Sequence, residues 1–237
     1  MKKSKSTVLK KILIPLGFRC AENAYFRVHK NESIQAIKLS RQRTLETEIN
    51  VAVYSVYNPN VFTYLGEKSL VLPYSYSFGS FVSKHNKDDL KYQEEIADID
   101  TTEKQFYILS EFILPRLENI TTQADILHFY DEMDVAEYKS CIPNASVRVY
   151  PALALNDLEL ALKPLTAIFL QNADALESMR KYWTEAEHKE ACERTRIRQI
   201  PLRRVEKMIL DRDVEEIHRF TEETKRRNLS LFMDSYD

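Results

Sequence analysis

Only three of the 237 residues are glycine, and that scarcity constrains the fold more than any motif does. Loops that cradle phosphate rely on glycine for close backbone approach, and neither a GxGxxG nor a GxxxxGK pattern occurs. Gly17 follows a stretch whose apolar positions Val8, Ile12, Leu13 and Leu16 share one helical face. Ser6 or Thr7 caps that helix, and Gly17 supplies the left-handed residue that ends it. Phe18 is placed to pack back over the last turn, and Pro15 predicts an irregular close.

Beyond this stop the sequence predicts an antiparallel meander. Residues 24–29 and 33–39 read as strands of a hairpin turning at Lys30-Asn31-Glu32. Residues 49–57 are β-branched and aromatic with apolar side chains on both faces, the pattern of a central strand. A fourth strand is expected at 69–72, extending toward Phe81, and a polar loop or short exposed helix at 84–100. Helices follow at about 102–119, kinked by Pro115, and at 124–138 behind a Thr121 or Thr122 cap. Residues 142–151 carry Pro143, Asn144 and Pro151 and read as a seam between halves. The glycine-free remainder reads as helices over about 156–162, 165–182, 184–199 and 202–227. The expected architecture is α+β: an N-terminal helix and antiparallel β-meander flanked by helices over 1–141, then an all-helical domain or extension over 142–237.

A net charge of −2 gives no bulk attraction to nucleic acid or anionic membrane. Cys20, Cys141 and Cys192 are odd in number and far apart, which is no disulfide framework and fits a reducing compartment. The basic, then apolar, start resembles a signal peptide, but its apolar part is short, contains Pro15 and runs into Arg19 where a cleavage site needs small residues. The expectation is a soluble, cytoplasmic protein with no membrane partner.

Three short motifs carry a family resemblance. Leu16-Gly17-Phe18 after the amphipathic helix is followed by Tyr25-Phe26-Arg27 and by the extended segment Glu48-Ile49-Asn50-Val51-Ala52-Val53. Further on, Leu114-Pro115-Arg116-Leu117 precedes Ile120-Thr121-Thr122. Over about residues 6–135 this layout resembles a bacterial family known as domain of unknown function 4304. The resemblance implies an α+β fold and no established activity. Members are discussed near bacterial toxin and immunity systems, which implies a protein as partner. The only Trp, Trp183, lies outside the matched stretch.

Eight aromatics fall between residues 54 and 81. Part of this set is expected to pack within the sheet, and part to offer Tyr side chains to a partner. Arg27, Tyr54, Tyr74, Tyr76 and Phe78 are therefore the candidate binding residues, in a non-enzymatic, immunity-like or regulatory protein-binding module with no cofactor. The alternative is a metal-dependent enzyme with a site between the halves. Two Glu-x-x-His motifs, Glu185 with His188 and Glu215 with His218, match half of a di-metal bundle site, which needs all ligands facing inward. A weaker alternative is nucleic-acid binding through Arg194, Arg196, Arg198, Arg203, Arg204 and Lys207.

Overall fold

The computed structural model describes residues 5–21, 24–41, 47–59, 76–77, 106–107, 109–134 and 145–234. Helix α1 (Lys5–Leu13) passes into a 3-10 turn, Ile14–Leu16. Pro15 stands in the first turn of that segment, where a missing N–H costs nothing. Gly17 takes φ 81° and its N–H closes on Ile14 O, while the Phe18 N–H reaches Leu13 O at 3.1 Å. Phe18 is buried over this turn, so the irregular close and the hydrophobic return both form as expected.

Strands β1 (Arg19–Ala21), β2 (Ala24–His29), β3 (Ser33–Arg41), β4 (Thr47–Ser55) and β5 (Tyr76–Ser77) lie in chain order in one antiparallel sheet. Lys30 and Asn31 both take positive φ, 52° and 58°, and the Glu32 N–H donates to His29 O. That backbone follows the right-handed twist of a hairpin, which is why Asn suits the position. Central β4 is buried from Val51 to Ser55, with Ala52 opposite Ala36 and Tyr54 opposite Ile34. The strand expected at 69–72 and the loop at 84–100 lie outside the described residues; Tyr76 and Ser77 pair with Val51 and Asn50.

A π-helical turn, Leu109–Ile113, leads into α2 (Leu114–Glu118), followed by α3 (Gln123–Asp134), α4 (Ala145–Ala154), α5 (Leu158–Arg180), α6 (Glu185–Leu210) and α7 (Val214–Asp234). The described part of the expected seam is α4, a helix with seven of its ten residues buried. Two expected helix breaks are also corrected. Pro164 lies inside α5 and Pro201 inside α6, each helix continuing through it. The break between α6 and α7 comes instead at Asp211–Asp213, where Arg212 takes φ 52° and Asp213 Oδ1 accepts from the Glu216 N–H.

One apolar cluster runs from Leu9 of α1 through Phe26, Ile37 and Val53 of the sheet to Tyr150 of α4, Leu165 of α5, Met208 of α6 and Phe232 of α7. Around it lie buried and half-buried polar contacts. Ser55 Oγ donates to Gln123 Oε1, and Gln123 Nε2 donates to Glu32 O and Oε2. Lys225 Nζ donates to the remaining Glu32 oxygen and to Tyr57 OH. Asn228 Nδ2 reaches Val56 O and Asn58 O. No described helix is long and apolar enough to cross a membrane.

Candidate functional site

Helices of 23 and 26 residues are about 34 and 39 Å long at 1.5 Å per residue, which is longer than the core beneath them. In α5 the last side chain packed against the core is Phe169, and in α6 the first is Leu202. Residues 170–201 therefore form an antiparallel arm, with roughly 16 Å of α5 and about 25 Å of α6 beyond their core contacts. Its inner seam repeats every three or four residues, with Phe169, Asn172 and Leu176 on α5 and Cys192, Thr195 and Gln199 on α6, all half-buried. Half of these are polar, so the seam fixes the pairing of the helices while burying little apolar surface.

The arm ends in a capped tip. Thr184 caps α6 by accepting from the Glu187 N–H, and the Glu187 carboxylate accepts from the Thr184 N–H at 2.8 Å and from its hydroxyl. Donation first by the Thr184 N–H and then by its hydroxyl holds the exposed Glu187 carboxyl below the usual range. Beside this cap a groove of about 700 Å³ is lined by Arg180, Trp183, Glu185, His188, Lys189 and Cys192. The Trp183 and His188 rings are 6.3 Å apart and tilted by 46°. Tyr182 stands outside the groove, 71% exposed, with Lys181 Nζ 4.9 Å from its ring centre. The Cys192 sulfur is nearly equidistant from the two His188 nitrogens, at 3.9 and 3.8 Å. It is aligned with neither nitrogen, which is not the line of proton transfer a thiol nucleophile and its base require.

Three of the binding residues named from sequence, Arg27, Tyr54 and Tyr76, are placed in the sheet. Arg27 is 5% exposed. Its Nε donates to Gln35 Oε1, its Nη1 lies 2.6 Å from Glu118 Oε1 and donates to Leu16 O, and its guanidinium stacks 4.6 Å from the Phe18 ring. Tyr54 is 1% exposed on β4. Neither side chain is open to a partner. Tyr76 is placed as part of β5, with its side chain outside the described set, and Tyr74 and Phe78 fall outside the described residues.

The two Glu-x-x-His motifs are not brought together. Glu185 and His188 sit at the start of α6, Glu215 and His218 just beyond its end, and the helix between them holds them roughly 30 Å apart. Among the described residues no three His, Cys, Asp or Glu side chains gather as metal ligands. In the basic run Arg194 faces Glu190, Arg196 faces Glu193, Arg203 faces Glu206 and Arg204 faces Glu216, at 3.6, 2.7, 2.7 and 2.6 Å. The arm tip was missed from sequence, although one signal existed: the chain's single Trp lies in a tripeptide, Tyr182-Trp183-Thr184, with no apolar periodicity to bury it. No protein-family model matches the chain, and no curated protein or solved structure matches it.

Proposed function

We propose that this chain is a protein-binding module that engages its partner with the tip of the α5–α6 arm. The observation carrying the reading is the placement of Trp183 and Arg180 on an open groove, with Tyr182 exposed beside it, away from the core. These three residue types dominate binding energy at protein interfaces, because each offers a large rigid or planar surface with a polar handle. The capping box at Thr184 holds them in place before contact, so little ordering entropy is lost on binding. An immunity-like or regulatory role, with kinship to the domain of unknown function 4304 family, is one instance of this reading.

The test begins with a photo-crosslinking residue at position 182, which identifies a partner in cell extract. That partner, purified, is then titrated against the chain. Trp183→Ala and Arg180→Ala are each expected to weaken binding tenfold or more, about 1.4 kcal/mol. Unchanged affinity in both variants, with their helical content intact, rejects the tip as the contact.

A further inference from the structure

The outward face of α6 carries a second pattern, independent of the tip. Glu190, Glu193, Ile197, Ile200, Arg204 and Lys207 follow one another at steps of three, four, three, four and three residues. That spacing puts all six on a single stripe along the helix, and all six are exposed. The stripe lies opposite the inner seam, since Ile197 and Ile200 are 52% and 54% exposed while Thr195 and Gln199 are half-buried. Two large β-branched side chains standing adjacent and more than half open are unlike the charged surface around them.

The order of the stripe selects its occupant. Read forward it is acidic, acidic, apolar, apolar, basic, basic; read backward the signs are reversed. An antiparallel copy of the same helix, related by a two-fold axis between Ile197 and Ile200, sets Ile197 against the other chain's Ile200. It likewise sets Glu193 against Arg204 and Glu190 against Lys207, each contact made twice as two-fold symmetry requires. A parallel copy sets like charge on like charge. The local ion pairs Glu193–Arg196, Glu190–Arg194 and Arg204–Glu216 do not withdraw these charges, because exposed pairs of this kind hold their partners weakly. Arg219 also faces Glu216, so the basic end keeps its sign beside α7. We infer that the outer stripe of α6 is a homodimer interface, occupied by the same stripe of a second copy of this chain in antiparallel orientation.

A pair of crossed helices lies at the small end of stable interfaces, so association is expected at roughly micromolar chain concentration. Sedimentation across about 1 to 200 µM of the full chain is expected to show a monomer–dimer equilibrium. Ile197→Glu with Ile200→Glu is expected to leave a monomer with the wild-type melting profile. The decisive arm uses two charge-reversed variants: Glu190→Lys with Glu193→Lys, and Arg204→Glu with Lys207→Glu. Each alone is expected to be monomeric, and the two mixed to form a one-to-one heterodimer. Tyr182→Ala and Trp183→Ala leave the dimer unchanged, which separates this interface from the tip. A wild-type chain monomeric throughout assigns the stripe to a different protein and overturns the inference. So does a dimer that survives every stripe variant, or a mixture that fails to associate.

Discussion

Asp125 shows how one side chain sets a helix start and a pH dependence together. Its carboxylate accepts from the N–H and hydroxyl of Thr121 and from the N–H of Thr122, while Thr122 Oγ1 accepts from the Asp125 N–H. Partial burial works against its ionisation, and the hydrogen bonding with Thr121 and Thr122 outweighs it, so the folded carboxyl titrates below its ordinary value. A depressed folded pKa means stability that is present above the unfolded pKa and lost as pH falls through the folded one. Asp125→Asn is expected to lower stability near neutrality by a few tenths to about 1 kcal/mol and to flatten the acid limb below about pH 5. Urea midpoints measured against pH check both effects. Thr121 or Thr122 as the cap was legible in the sequence, because hydroxyl and carboxylate residues before an apolar run announce a helix start. Arg27 was not. Its charge suggested an outward contact, yet Glu118, Gln35 and Phe18 meet it inside the fold, and nothing local in a sequence reveals a partner 91 residues away.

For whole elements, the strands were easier to read than the helix ends. Period and β-branching marked β2, β3 and β4, whereas three-residue β1 is too short to carry a pattern and exists through its pairing with β2. Proline ordinarily marks a helix end, yet Pro164 and Pro201 are both held inside helices long enough to absorb one missing hydrogen bond. The true break at Arg212 has neither Gly nor Pro; Asp211, Arg212 and Asp213 turn the chain with an arginine in the left-handed region. Pro201 is exposed and Pro164 is buried. Pro201→Ala restores a donor to the Ile197 carbonyl at no packing loss and is expected to stabilise the arm by about 1 to 3 kcal/mol. Hydrogen exchange at residues 190–205 checks this through slower amide exchange. At Pro164 the same change also removes buried ring atoms, so its gain is smaller.

Across the whole molecule, the last described helix completes what the first strands begin. Lys225 meets Glu32 and Tyr57, Asn228 meets the carbonyls of Val56 and Asn58, and Arg19 lies 5.3 Å from the centre of the Phe232 ring. Asn228 is 1% exposed, so replacing it by Leu leaves two buried carbonyls without that donor. The expected loss is about 2 to 3 kcal/mol, read from urea unfolding followed by both helical and aromatic signals. These contacts also order events during synthesis. Once α6 has left the ribosome and α7 has not, the carbonyls after β4 have no Asn228 and Glu32 has no Lys225. A nascent chain stalled there presents an unfinished sheet end beside a complete arm, so chaperone engagement is expected to end only when α7 is released.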